Sequence, residues 1–463
     1  MADLHLVVDR AAGGLAAQIA REVREAVRSG RLAPGDRLPA SRDLARDLGL
    51  SRGVVVEAYE QLVAEGVLRS RTGAGTRVAA GAGRHAAEPD PENRDGRSRY
   101  GYRPTSPDLG AFPRQAWLAA VRHVLATLPN DALDYGDPGG VPALRRELAA
   151  YLGRVRAADA HADQIVIVTG VAQGLSLAVQ ALARELGRRV VLAVEDPTTT
   201  RQLPLLRRAG ADIVPVPVDG EGIVVGALPG DADAVLVTPA HQYPTGVVLS
   251  PARRAALVDW AGRAGALVIE DDYDAEFRFD RDPVGCLQGL APDRVMLAGS
   301  VSKALAPGLR LGWVAAPPGV ARAVRLARGE LDLGSPVIDQ YALAHLIGSG
   351  AYDRHLRRMR REYRRRRDAL VRALAEHLPR VTVHGISAGL HLYAEPGGDP
   401  SGLVAAAHAA GLSAEVVTPA LAPGGRPAGL VIGFARLPAH RVTEAVRALA
   451  AAGGAVSGDH EPS

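Results

Sequence analysis

Over roughly the last 350 residues, short β-branched apolar runs alternate with helical patterns, and few architectures satisfy that alternation. The runs fall at 165–168, 190–194, 213–216, 234–237, 267–269, 295–298 and 311–315, with helical periodicity between most of them, as at 174–186 and 251–264. Strands that are apolar along their whole length need cover on both faces. The pattern therefore predicts an α/β fold built on a largely parallel sheet. A long arginine-laden helix, about 351–377, then leads into a smaller α/β region that ends near Ala452.

The first 80 residues obey a different rule. Leu15, Ile19, Val23 and Val27 recur at helical spacing before Ser29 and Gly30. Ser41 is placed to cap a helix carrying Leu44, Ala45 and Leu48, and beyond Gly49 a second cap, Ser51, precedes Val55, Tyr59, Leu62 and Val63. Two helices joined by a three-residue turn with glycine make a helix-turn-helix. Two short strand patterns around a glycine-rich tip add a wing. The expected organisation is a mainly α winged helix-turn-helix over 1–78 and a linker over 79–105, where large aliphatics almost vanish. The α/β domain follows over 106–452, its smaller part starting near 350, and then a frayed tail over 453–463.

Charge does not decide whether nucleic acid is bound, because 55 basic residues against 51 acidic ones leave only +4. Local sequence must decide. The second helix of such a motif enters the major groove, so Ser51 and Arg52 in its first turn are candidate DNA contacts, with Arg42 on the supporting helix. Arg71 and Arg77 on the wing could enter the minor groove, Gly73 and Gly75 allowing close approach. The competing reading is a solvated hairpin whose arginines pair with Asp43, Asp47 and Glu57. The ten arginines of 354–372 read better as an ion-paired helical face than as a second DNA stripe.

The basic residues comprise 54 arginines and one lysine, Lys303. A guanidinium stays protonated and cannot form an imine, so a lone surviving amine marks a position where arginine will not serve. Lys303 follows a strand, with Ser300 and Ser302 before it and Arg310 after it, a set that suits a phosphate. Another strand ends in Glu270, Asp271, Asp272, Tyr273 and Asp274, at the carboxyl edge where ligands of α/β sheets lie. Asp271 could hold a pyridine nitrogen protonated, and Tyr273 could donate to a ring hydroxyl. Cys286 is alone, which excludes an internal disulfide and a cysteine metal cluster; no metal is expected. With no signal core and no long apolar run, the chain is expected to be cytoplasmic and off the membrane.

The run LPASRDLARDLGLSRGVVVEAYEQLVAEGVLRSRTGAGTRV resembles the DNA-binding domain of GntR-type regulators. Further on, YGDPGG at 135–140, TGVAQG at 169–174, VEDPTTTR at 194–201, TPAHQYPTG at 238–246, IEDDYDAEFRF at 269–279 and GSVSKALAPGLRLG at 299–312 resemble the aminotransferase-like domain of fold-type I pyridoxal phosphate proteins. The match is to the MocR version of that domain and spans about 106–452. The resemblance implies that Lys303 carries pyridoxal 5′-phosphate as an internal aldimine, with Asp271 on the pyridine nitrogen and Tyr273 on the ring hydroxyl. It implies a phosphate site at the helix start near Val171 and Ala172, completed by Ser300 and Arg310, with His241 and Gln242 beside the ring. Arg201 would face an effector, and Tyr135 would reach the cofactor of the partner subunit in a homodimer. Two departures stand out. The turn Thr198-Thr199-Thr200 lacks the usual stacking aromatic, and Leu430-Val431-Ile432 lacks the usual substrate arginine, for which Arg436 is the substitute candidate. The implied function is a regulator that binds a double-stranded DNA operator and senses pyridoxal phosphate, an amine or an amino acid. The alternatives are an aminotransferase with a fused DNA-binding head, or a DNA-binding protein that uses the cofactor domain only to dimerise. The intact head and the threonine turn favour regulation over turnover.

Overall fold

The computed structural model describes residues 6, 8–71, 75–80, 103–279, 284–396, 400–420 and 429–456. The expected linker and tail fall largely outside these residues. The chain forms two compact units, Met1–Gly101 and Tyr102–Ser463.

In the first unit, helix Leu15–Arg28 packs on helix Arg52–Ala64. Ile19, Val23, Leu44, Val55, Leu62, Leu68 and Val78 close one small core. Helix Ser41–Leu48 ends on Gly49 at φ 62°, a conformation in which glycine is at little cost and most side chains are strained. Ala40, not Ser41, is the residue that caps that helix, and no side chain bonds to the helix start; Ser41 is already its first turn. Ser51 does precede helix Arg52–Ala64, again without a side-chain cap bond. Strands β1, Leu68–Arg71, and β2, Gly75–Val78, pair antiparallel from Leu68 opposite Val78 to Arg71 opposite Gly75, which makes the wing.

The second unit holds an eight-stranded sheet of β3 (Ile165–Val168), β4 (Val190–Asp196), β5 (Ala211–Asp219), β6 (Gly222–Ile223), β7 (Ala234–Val237), β8 (Leu267–Asp271), β9 (Val295–Ser300) and β10 (Gly312–Ala315). The spatial order is β3-β10-β9-β8-β7-β4-β5-β6. Pairs β4–β5, β4–β7, β7–β8 and β8–β9 are parallel, each strand apolar and covered by helices, as the alternation demands. The exception at the core of the sheet is β10, antiparallel to both β3 and β9. Residues 301–311 between β9 and β10 contain only a short 3-10 turn at Pro307–Leu309, which is too little chain for a parallel crossover.

Beyond helix Ala351–His377 lies the smaller part, a four-stranded sheet of β11 (Thr382–His384), β12 (His391–Glu395), β13 (Ser413–Val417) and β14 (Gly429–Gly433) in the order β11-β12-β14-β13, antiparallel throughout. The arginines of helix Ala351–His377 are largely engaged in local bonds. Arg366 joins Glu362 and Asp108 and donates to the Ala435 carbonyl, Arg365 joins Glu362, and Arg360 donates to the Glu276 carbonyl. Several of them stitch the helix to its own unit, which goes beyond a solvated face. Among the described residues no helix is long and apolar enough to cross a membrane, and no group of three or more His, Cys, Asp or Glu residues could hold a metal.

Candidate functional site

The carboxyl ends of the central strands converge. β4 ends at Glu195 and Asp196, β7 leads into Thr238, β8 ends at Asp271, and the chain leaving β9 carries Lys303. Glu195, Thr238, Asp271 and Lys303, together with Arg103, Thr105, Thr198, Thr199, Arg201, Tyr243, Tyr273 and Glu415, line a cavity of about 750 Å³ including its open mouth. Such an edge of an α/β sheet offers charged groups without cutting into the apolar core.

Lys303 Nζ donates to Thr105 Oγ1 at 3.0 Å. Burial pulls this amine down to about 8, aided by the Arg103 charge and opposed by Asp274 and Asp271. An amine in that range is partly neutral near neutral pH and can attack a carbonyl. Asp271 is only 9% exposed, and burial, followed by the Asp272 charge, pushes its carboxyl up to about 7 against the pull of Lys303. Among the described residues its Oδ1 has no hydrogen-bond partner. A buried acceptor left without a donor is costly, so this oxygen is set for a donor carried by a ligand. A protonated pyridine nitrogen fits that need. Glu195 plays another part: its Oε2 accepts from the Thr238 amide at 3.0 Å and hydroxyl at 2.6 Å, which ties β4 to β7.

Tyr273 is held from behind. Its hydroxyl and the Asp274 carboxylate each lie 3.0 Å from His241 Nδ1, and the His391 ring packs 5.2 Å from His241. Burial, then the Asp274 charge, keeps the phenol protonated well above its ordinary range. It can therefore serve as a hydrogen-bond donor and not as a base.

The expected phosphate cup gathers where β3, β9 and β10 meet. Gly312 sits opposite both Val168 and Ser300, and a Cβ added to it would come within 2.8 Å of the Gly170 Cα. Gly170, at φ 117°, precedes helix Val171–Leu186, and a Cβ there would lie 3.1 Å from Arg310 Nη2. Two glycines thus let the helix start, with the Val171 and Ala172 amides, approach Ser300 and Arg310. Free amides and the helix dipole at such a start favour an anion. These residues adjoin the cavity through the turn that carries Lys303 and are not part of its wall.

Several placements differ from expectation. His241 and Gln242 are 4% and 1% exposed and do not line the cavity; Tyr243 does. The reason is local. The Gln242 side chain donates to the Pro197 and Tyr243 carbonyls at 2.8 and 2.7 Å and accepts from Thr245, which anchors it behind the wall. Arg436 is exposed beyond the end of β14 and is absent from the wall. Tyr135 is 84% exposed and also lies off this chain's cavity. Arg201 does line the cavity, but its guanidinium is on Glu415 at 2.9 Å, and the Tyr243 hydroxyl donates to the other Glu415 oxygen. Thr198 and Thr199 line the wall where the aromatic was missing. Arg103, Thr105, Tyr243 and Glu415 were not foreseen. Arg103 and Thr105 sit in a stretch whose composition reads as linker, and Glu415 lies on a strand with no marking motif.

In the first unit, Arg42, Ser51 and Arg52 are exposed, and Arg52 Nε reaches Ser41 Oγ at 3.4 Å. Among the described residues neither Arg42 nor Arg52 is in an ion pair, whereas Arg46 pairs with Asp43 at 3.3 Å. Of the pairs that a solvated hairpin would make with Asp43, Asp47 and Glu57, only Arg46–Asp43 is present among the described residues. Arg77 is exposed on β2 with Nη1 on the Gly35 carbonyl at 2.9 Å. Arg71 ends β1, its side chain outside the described residues, as is Gly73.

Comparison with known proteins agrees with both units. Residues 15–78 match the bacterial regulatory proteins of the gntR family, and residues 107–449 match aminotransferase class I and II, whose cofactor is pyridoxal 5′-phosphate. The chain is 38% identical over 384 residues to the HTH-type pyridoxine biosynthesis transcriptional regulator PdxR of Corynebacterium glutamicum, covering 81% of this chain and 82% of that one. It is 32% identical over 415 residues to the probable rhizopine catabolism regulatory protein MocR of Rhizobium meliloti, covering 84% and 83%. Among solved structures, LysN, an α-aminoadipate aminotransferase of Thermus thermophilus complexed with N-(5′-phosphopyridoxyl)-L-leucine, superposes with a TM-score of 0.67 at 26% identity, over 76% of this chain and 91% of that one. An archaeal alanine:glyoxylate aminotransferase gives 0.67 at 25% identity, over 78% and 93%. With a gntR domain and an aminotransferase domain in one chain, and relatives of the same build over four-fifths of its length, this protein belongs to the MocR-type transcriptional regulators of the GntR family.

Proposed function

We propose that this regulator binds pyridoxal 5′-phosphate covalently through Lys303 and that occupancy of the site, by the cofactor or by an amine that reacts with it, alters binding to its DNA operator. The observation that carries the reading is the one lysine of the chain, lining a cavity with Asp271, whose buried Oδ1 lacks a donor among the described residues. When bound, the cofactor supplies an electrophilic carbon and an electron-withdrawing ring. The residues of this chain do the rest. Asp271 would hold the ring nitrogen protonated, Tyr273, braced by His241, would donate to the ring hydroxyl, and the Val171 and Ala172 amides with Ser300 and Arg310 would hold the phosphate. Thr198 and Thr199 would lie where an aromatic stacks in other members, and a looser grip on the ring follows. A ligand changes DNA affinity only by binding one arrangement of the protein better than another, and a homodimer with two heads supplies such arrangements.

Because the neutral amine is the nucleophile, capture of the cofactor should speed up as pH rises through about 8 and level off above it. Stopped-flow absorbance between about pH 7 and about pH 9 measures this; a rate that is flat or falling across the window would contradict the assigned amine. For the head, Arg52→Ala should weaken operator binding by about 1–3 kcal/mol while leaving the cofactor spectrum as it is. A gel-shift titration checks it, and unchanged affinity would take Arg52 out of the interface. The reading as a whole is tested by footprinting DNA upstream of the protein's own coding region, with and without pyridoxal phosphate.

A further inference from the structure

Two guanidinium groups face the cavity, and their situations differ. Arg201 is committed: Glu415, reaching in from β13, takes its guanidinium on one oxygen and the Tyr243 hydroxyl on the other. Arg103 has neither an ion pair nor a hydrogen bond from its side chain among the described residues, yet its charge is felt by both Lys303 and Tyr243. The backbone explains how it gets there. The Ser106 amide donates to the Arg103 carbonyl at 2.9 Å, closing a turn from which Arg103 and Thr105 both reach the cavity wall. Within that turn Pro104 lies against β14, where a Cβ added to Gly433 would come within 2.6 Å of the Pro104 Cα. Gly433 is two residues from Val431 on the strand that carries no arginine.

We propose that Arg103 is the carboxylate anchor for the effector of this site, and that the effector class is a small amine bearing a carboxylate, such as an amino acid. The assignment rests on the cofactor reading above and adds to it the group that selects among amines. A free guanidinium beside the reactive lysine offers a carboxylate two parallel donors, and Glu415 holds the other candidate in reserve. Arg103 is the second residue of this unit, and the turn it opens is packed on β14.

The test uses the full chain with two probes that share an amine and differ by a carboxylate, L-alanine and ethylamine. In cofactor-loaded protein, Arg103→Gln should raise the L-alanine concentration that half-changes the visible spectrum by about tenfold or more, with a far smaller effect on ethylamine; Arg103→Lys should recover part of the loss. A second readout needs no cofactor: succinate should raise the melting temperature of the apo chain, and Arg103→Gln should remove that rise. Loss of discrimination against ethylamine in the spectrum, together with loss of the succinate effect on melting, supports the anchor. The assignment is overturned if wild-type protein carrying the cofactor band ignores L-alanine, or if Arg103→Gln responds to both probes and to succinate as the wild type does. If no cofactor band forms while the succinate effect still depends on Arg103, it is the cofactor reading that fails and the anchor stands.

Discussion

Lys303→Ala is expected to abolish the visible absorption band that the full-length protein acquires with pyridoxal 5′-phosphate. No second lysine exists to take over, and the 54 arginines stay protonated in the range where imines form. Among the described residues the amine makes one hydrogen bond, to Thr105, and burial works against its charge, so removing it takes little from the folded state. The variant should therefore melt close to the wild type, which separates lost chemistry from lost folding. Borohydride reduction and peptide mass analysis give the complementary result: in the wild type the adduct maps to Lys303 alone. A band of full intensity in the alanine variant, or an adduct elsewhere, would contradict the assignment.

Asp271→Asn should have the second largest effect, and with opposite signs on binding and stability. For the cofactor, the substitution removes the negative partner of a buried pair, worth about 3–4 kcal/mol or roughly 100- to 1000-fold in affinity. For the apo chain the sign reverses. The carboxyl moves from an unfolded value of 3.8 to about 7 in the fold, because burial and Asp272 disfavour its charge. Between those values the folded chain keeps a proton that the unfolded chain has lost, so stability falls as pH rises across the window and the penalty is complete above about 7. Asparagine escapes that penalty. The apo variant should melt higher than the wild type at about pH 8 and nearly level with it at about pH 4. Calorimetry at both values decides; equal destabilisation at both would mean that Asp271 is a structural residue. A site that costs stability in exchange for binding is the expected signature of function.

Much of this architecture was legible in the sequence because its causes are local. Continuous apolar runs such as Ile165–Val168 announce buried strands, and the glycine turn between Leu48 and Arg52 announces the head. Lys303, Asp271 and Tyr273 were legible for a chemical reason, since each residue type has a narrow set of uses beside a strand end. What escaped notice depends on tertiary packing. The reversed direction of β10 follows from a connection too short to cross over, and the exchange of Tyr243 for His241 and Gln242 follows from where one glutamine amide finds its partners. Glu415 meets Arg201 across more than two hundred residues of sequence. Arg103 and Thr105 lay in a stretch whose composition suggested a linker, and only the packing of Pro104 on Gly433 shows that the chain is already part of the second unit. Arg436 lies three residues past the end of β14, exposed and outside the cavity wall.

Occupancy of Lys303 by the cofactor is expected to change how the protein binds DNA. Operator affinity measured by fluorescence anisotropy, for wild type and Lys303→Ala, each with and without pyridoxal 5′-phosphate at fixed salt, tests it most directly. The cofactor should change the wild-type affinity several-fold and leave the variant where it was. Identical affinity in all four conditions, with the wild-type cofactor band fully formed, would mean that the cofactor does not control DNA binding and leave the cofactor domain as a scaffold.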